Sequence, residues 1–273
     1  MDLHIHSTFS DGELTPYQII LEAINNGVTM VAITDHDEIT GYVHGQSIAR
    51  KVGLTLIPGI ELNTDGPDGE LHILGYHVDP NSPDLLEHIA WRKQERKEWA
   101  EKIVDHLRTI GFIIDFDSCA ARASGGIIVR THIADELCAQ GYFLTSQDAY
   151  DRLLKKGAPG FIPRAAFTAK DAIDLIHKAN GEAYLAHPGI YPFEVPIHHL
   201  EAYGLDGIEV YHSKHTASQV TYWEKIVYCL HLKISGGSDH HGPNTRNPYP
   251  IGSVKVSDPC REQWLNKKEE LFE

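Results

Sequence analysis

Seven short, β-rich apolar runs, most of them separated by helical patterns, restrict this chain to folds in which strands and helices alternate. The runs are Leu3-His4-Ile5, Val31-Ala32-Ile33, Leu56-Ile57, Leu71-His72-Ile73-Leu74, Ala183-Tyr184-Leu185, Ile208-Glu209-Val210 and Lys233-Ile234, and four of the six intervals between their starts are 25 to 28 residues. That rhythm predicts βαβ units and a parallel sheet. The first helix is bracketed by Thr15-Pro16, an N-cap with proline at the first helical position, and by Asn26-Gly27 at its end, with Ile20, Ala23 and Ile24 as its apolar stripe. Another opens at Thr168 with Asp171 three residues on and stops at Asn180-Gly181.

About a hundred residues between the runs at Leu71 and Ala183 break the rhythm. They predict an inserted helical subdomain over 91–164, covering the active site, with helices near 91–110, 131–140 and 146–156. The barrel part is then 1–90 and 165–273. A length of 273 residues accommodates an α/β barrel with such an insertion.

The strand ends and the loops after them carry an unusual density of metal-capable groups. His4 and His6 are two apart on a strand and project to the same side. Asp35-His36, Glu61, His72, His187-Pro188-Gly189, His212 and Ser238-Asp239-His240-His241 follow. In parallel α/β barrels the loops at the C-terminal rim converge, so these groups are expected to share one site. A His-x-His pair alone is a weak signal, and the co-placement of so many donors is what makes a metal centre the expectation. The remaining histidines, His240 among them, are expected to be surface or internally satisfied groups. The net charge of −14 repels nucleic acid at long range, so a phosphate-bearing ligand needs a local positive source, and bound cations would supply it. No apolar run approaches a membrane span, and the segment from Met1 has neither the basic nor the apolar region of a secretory signal. A cytoplasmic location without a membrane or an obligate protein partner is the expectation.

The set His4-x-His6, Asp11-Gly12, Thr34-Asp35-His36, Gly59-Ile60-Glu61, His72-Ile73-Leu74-Gly75, Ala186-His187-Pro188-Gly189 and Gly237-Ser238-Asp239-His240-His241 resembles the PHP (polymerase and histidinol phosphatase) family. The resemblance implies a distorted (β/α)7 barrel with three divalent ions in its rim. It implies His4, His6, Glu61 and Asp239 on one ion, Asp11, His36 and His241 on a second, and Glu61, His72 and His187 on a third, with Glu61 bridging. All-nitrogen and oxygen donors suit manganese, zinc or iron(II) without choosing between them. Three carboxylates, Asp11, Glu61 and Asp239, would leave about +3 of the ions' charge uncompensated. A water shared by two such ions is deprotonated near neutral pH and can attack phosphorus. Asp11, His36, His241 and His212 are the residues expected to carry the chemistry.

The element Val129-Arg130-Thr131-His132 within the insertion is similar to an Arg-x-His element of the stand-alone PHP branch, which implies removal of the 3′-phosphate from nucleoside 3′,5′-bisphosphates. Related members trim short RNA from its 5′ end. Arg130 and His132 would then hold a second phosphate, or else be a surface arginine and a helix-capping histidine. Arg164 would close over the substrate or be a hinge arginine. His212 would contact the scissile phosphate, protonate the leaving oxygen, or orient a ligand. The stretch from Arg92 to Arg108, six basic and four acidic residues, reads as a solvated face that could also track RNA. A histidinol or other polyol phosphatase, a C–N hydrolase and a non-catalytic metal-binding module are the competing classes.

Overall fold

In the computed structural model, which describes residues 1–123, 128–245 and 247–270, six strands form one sheet in chain order. They are β1 (Met30–Ile33), β2 (Thr55–Asn63), β3 (His72–Tyr76), β4 (Glu182–Leu185), β5 (Gly207–His212) and β6 (Lys233–Gly237). The seventh run, at the N-terminus, closes the sheet as an irregular stave. On one side Ala32 N–H donates to the Asp2 carbonyl and Thr34 N–H to that of Ile5, at 3.0 and 2.8 Å. On the other, Leu3 N–H donates to Gly236 O and Asp239 N–H to His4 O, at 3.1 and 2.8 Å. The close approach needs Gly237, where a Cβ would sit 2.4 Å from the His4 nitrogen. The result is the expected distorted barrel of the α/β class.

One strand departs from the all-parallel expectation. β3 runs antiparallel to both β2 and β4, whereas β1–β2, β4–β5 and β5–β6 are parallel. The cause is the connection: no helix lies between β2 and β3, so the chain turns back as a hairpin instead of crossing over. The reversal is what brings His72, the first residue of β3, to the rim where the parallel strands end, with His72 paired to Asn63 of β2.

Helices cap as their signals specify. Thr15 accepts from Gln18 N–H while Gln18 returns to the Thr15 backbone, opening the helix Pro16–Asn25, and Thr168 and Asp171 do the same for Ala169–Lys178. Ile19, Ile20 and Ala23 pack with Ile5, Val31 and Ile33 in one apolar cluster.

The chain divides into two compact units, Met1–Leu86 with Phe167–Glu273, and Glu87–Ala166. The division lies a few residues outside the expected 91–164. The helix expected over 91–110 begins at Pro83, and Phe167 is drawn back to the barrel unit by its bridge to Asp65. The second unit has its own core, in which Trp99, Ile103, Leu107, Ile133, Leu137 and Leu153 are buried. The helix expected over 146–156 is α-helical only at Ser146–Ala149 and continues as a π-type turn, Tyr150–Leu154. A helix at Phe116–Ala121, too short to show periodicity, was not anticipated. The Arg92–Arg108 stretch is not wholly a solvated face: Arg92 and Arg96 are 0% and 2% exposed. Among the described residues no helix is long and apolar enough to cross a membrane.

Candidate metal centre

All nine residues singled out as metal donors lie in the barrel unit, and their side chains converge. Four overlapping groups each bring ligand atoms within 4.8 Å of one another: His6, Asp11, His36 and His241; His4, His6 and Asp239; His4, Glu61 and His187; and His36, Glu61 and His72. Glu61 is the hub. Its Oε1 lies 2.9 Å from His72 Nδ1 and 3.1 Å from His187 Nε2, and its Oε2 lies 2.9 Å from His36 Nδ1 and 3.2 Å from His6 Nε2. His6 thus belongs to two groups, and His187 shares a group with His4 while His72 shares one with His36.

The donors fit divalent cations. Asp11 Oδ1, His36 Nδ1 and Glu61 Oε2 are buried without a hydrogen bond although other polar atoms crowd around them. His4 Nε2 and His6 Nε2 face each other at 3.1 Å, an arrangement natural to two lone pairs sharing a cation. Donors packed this way, too close and too poorly aligned to satisfy one another, are what a buried polar group otherwise avoids.

The surroundings set which ring nitrogen is available. The proton on His4 Nδ1 is donated to Glu209, whose Oε1 is 3.0 Å away, which frees Nε2 to face the cluster. Glu209 Oε2 also accepts the backbone N–H of His187 at 2.8 Å. His241 Nδ1 donates to the Asp239 carbonyl at 2.9 Å, aiming its Nε2 at Asp11 Oδ1, 3.3 Å away. His187 and Asp239 hold left-handed backbone conformations, φ 31° and 55°, which few non-glycine residues adopt and which cluster at constrained sites. The loop bearing Asp11 is pinned by Asp35, which accepts from Ser7 N–H, Ser7 Oγ and Ser10 Oγ at 2.7, 2.6 and 2.5 Å. His212 accepts the Lys214 N–H at Nδ1, so its proton is on Nε2, 3.3 Å from Asp239 Oδ2.

Sequence reasoning missed Glu209, fully buried in the middle of β5. The signal was present: an acid inside the apolar run Ile208-Glu209-Val210. Counting it, three carboxylates lie among the donors and a fourth directly behind His4, so three divalent cations would leave about +2 rather than +3. His240, by contrast, is a buried histidine only half satisfied: its Nδ1 donates to the Tyr249 carbonyl at 2.7 Å, while its Nε2 is buried without a hydrogen bond.

Charge in the cluster is balanced by protons when no cation is bound. Burial opposes a charge on His6, but Asp239, Glu61 and Asp11 outweigh it and push its pKa up to about 10. Burial likewise opposes the charge on Glu61, yet His36, His4 and His72 hold its carboxyl well below the usual range. At pH 7 to 8 the metal-free ring of His6 therefore carries a proton that a cation must displace, so metal binding releases protons and weakens as pH falls. Titration calorimetry of Mn²⁺ in buffers of different ionisation enthalpy should show net proton release at pH 7.5; an enthalpy independent of buffer contradicts this.

Arg130, His132 and Arg164 belong to the helical unit, and the structure draws the two arginines to one ring. The Arg130 and Arg164 guanidinium carbons lie 5.3 and 5.9 Å from the Trp99 centroid, and Arg130 is also 4.9 Å from that of Phe161. His132 is 9% exposed, and its Nδ1 accepts the Val129 N–H at 3.3 Å, capping the helix Arg130–Ala139.

A barrel-like sheet gathering buried histidines and carboxylates on one rim is built for metal-dependent hydrolysis, and the proteins this chain is similar to make the reaction that of a phosphoesterase. The chain belongs to the PHP domain family, whose profile matches residues 2–184. It is 32% identical over 250 residues, 89% of this chain and 85% of the relative, to the 5′-3′ exoribonuclease Rnm of Escherichia coli. It is 30% identical over 271 residues, 97% of this chain and 95% of the relative, to the 3′,5′-nucleoside bisphosphate phosphatase of Chromobacterium violaceum. A phosphoribosyl 1,2-cyclic phosphate 1,2-diphosphodiesterase of Eggerthella lenta is 30% identical over 255 residues, 91% of this chain and 96% of the relative. Among solved structures, a chain from Bifidobacterium adolescentis described as a metal-dependent phosphoesterase superposes with a TM-score of 0.84 at 28% identity, covering 97% of this chain and 95% of that one.

Proposed function

We propose that this enzyme removes the 3′-phosphate from nucleoside 3′,5′-bisphosphates, using three divalent ions that are manganese, zinc or iron. The observation that carries the reading is the convergence of nine donors around Glu61, together with a bisphosphate phosphatase relative matched along nearly its whole length. His4, His6, Glu61 and Asp239 hold one ion, Asp11, His36 and His241 a second, and Glu61, His72 and His187 the third. The ions, when bound, supply Lewis acidity toward the phosphoryl oxygens and an acidified water as nucleophile.

The rest is done by the chain. Glu209 and the Asp239 carbonyl hold His4 and His241 in the tautomers whose Nε2 faces the site. His212 keeps its proton on Nε2 against Asp239, which suits it to hold that carboxylate in place. Arg130, with His132 fixing the start of its helix, binds the substrate's other phosphate, for which a guanidinium is better shaped than an ammonium, and Arg164 assists it.

Protein loaded with Mn²⁺ and given adenosine 3′,5′-bisphosphate should release phosphate and accumulate the 5′-monophosphate. No release with metal verified as bound overturns the reading. The E. coli relative supports a second one, stepwise release of mononucleotides from short RNA bearing a 5′-phosphate, and the same assay with that RNA distinguishes them.

A further inference from the structure

We infer that Tyr191 is a further catalytic residue of the metal centre, its phenol donating a hydrogen bond to an oxygen of the scissile phosphoryl group. The inference rests on the metal-dependent reading of the Glu61 site and not on which phosphoester is the substrate.

Position is the first observation. Tyr191 follows His187 by four residues, across the short 3₁₀ turn Pro188–Ile190. Its Oη accepts the backbone N–H of His72 at 2.9 Å, and its ring centroid lies 5.4 Å from that of His187. His72 and His187 are the two imidazoles that approach Glu61 Oε1, at 2.9 and 3.1 Å, so the phenol is tied to both histidines assigned to one ion. Burial, and after it the charges of Glu61, Glu209 and Asp239, raise its pKa well above that of an ordinary phenol, as befits a hydroxyl set among the carboxylates of the site. Even an unperturbed phenol keeps its proton at neutral pH and is a donor there.

The second observation is where the protons go. A phosphoryl oxygen is an acceptor, and the nine metal donors offer it only lone pairs, so any part of the phosphoryl group not covered by ions needs a donor from elsewhere. Several nearby donors are already committed: the Ser7 and Ser10 hydroxyls donate to Asp35 at 2.6 and 2.5 Å, and the Asn247 amide donates to Asp239 at 2.7 Å. Tyr191 differs. It accepts from His72, and among the described residues no group within hydrogen-bond distance takes its proton. A phenol O–H lies in the plane of its ring, and the incoming His72 N–H occupies one side of the oxygen, which directs the proton to the other.

Third, the phenol is fixed before any ligand arrives. Its ring stacks on Phe193, with centroids 5.4 Å apart and planes 28° from parallel, and Phe193 lies against Gly69, where a Cβ would fall 2.6 Å from the phenyl ring. The turn before it is pinned at Gly189, whose N–H donates to His215 Nε2 at 3.0 Å and whose carbonyl accepts from Gln219 at 2.5 Å. A donor held in advance costs no reorganisation as charge builds on the phosphoryl oxygens, which is how such groups lower a barrier.

The test compares wild type with Tyr191→Phe, which keeps the ring and removes the hydroxyl, both loaded with Mn²⁺ to equal content by elemental analysis. Calorimetric titration with inorganic phosphate should show roughly tenfold weaker binding by the variant. Its kcat/KM for adenosine 3′,5′-bisphosphate should be about 100-fold lower, within the range for losing one donor to a developing oxyanion. A role limited to holding the His72 N–H would act through the metal, so its defect would vanish at matched metal content. Equal phosphate affinity, or wild-type kcat/KM at matched metal, overturns the assignment. If wild type carries Mn²⁺ and binds phosphate but releases none from adenosine 3′,5′-bisphosphate, the bisphosphate reading fails and the titration alone decides Tyr191. If metal-loaded wild type binds no phosphate, the phosphoryl site falls and Tyr191 with it.

Discussion

Glu61→Gln lowers kcat/KM for the phosphoester substrate by about three orders of magnitude, the consequence of losing several kcal/mol of charge stabilisation at the metal centre. Its two oxygens meet five imidazoles, His36, His72, His187 and His6 within 3.2 Å and His4 at 3.4 Å. Glutamine preserves the size of the side chain but removes the charge and turns one oxygen into a donor. That donor would face ring nitrogens whose lone pairs are needed for cations, so the two proposed ion sites that share Glu61 should weaken together. The check is metal content by elemental analysis beside steady-state kinetics, with circular dichroism to confirm the fold. Retention of both full metal content and activity would show that Glu61 is not the bridge.

Glu209→Gln tests a residue that touches no substrate in this reading. As an ionised acid, kept so by His4 despite its burial, Glu209 accepts on both oxygens, from His4 Nδ1 and from the His187 N–H. An amide can accept from only one of them. With its oxygen toward the His187 N–H, its NH₂ meets His4 Nδ1 and forces the imidazole proton onto Nε2, where it points at His6 Nε2 only 3.1 Å away. Metal affinity should fall about 10- to 100-fold, the usual cost of losing the carboxylate behind a ligating histidine. Calorimetric titration of the stripped protein reads this directly. Kinetics at saturating metal should recover most of kcat, which a ligand-deletion variant would not do. Unchanged affinity would reduce Glu209 to a structural acid.

How much of this was legible beforehand follows from what each signal depends on. Caps and stripes are local, so the helices at Pro16 and Ala169 began and ended close to their sequence marks. The donors were legible because histidine and acid at strand ends stand out against apolar runs, and because His4 and His6 share a face whatever the strand pairs with. Sequence could not give the direction of β3, because hairpin and crossover differ in the path of the chain and not in the character of the strand. Nor could it give the pairing of Glu209 with His4, which is 205 residues away along the chain.

The sequence by itself determined which groups this protein can offer to a cation and the alternation of elements that carries them, since both follow from residue type and short-range spacing. Only the tertiary structure decided how those groups meet. It turned β3 around so that His72 joins the rim, bound the N-terminal run between β1 and β6, and chose the His4 tautomer through a buried acid. It also drew Arg130 and Arg164 to a single indole. Each of these is a contact between distant segments, fixed by backbone pairing and by the requirement that buried polar groups find partners, neither of which is written in any one stretch of chain.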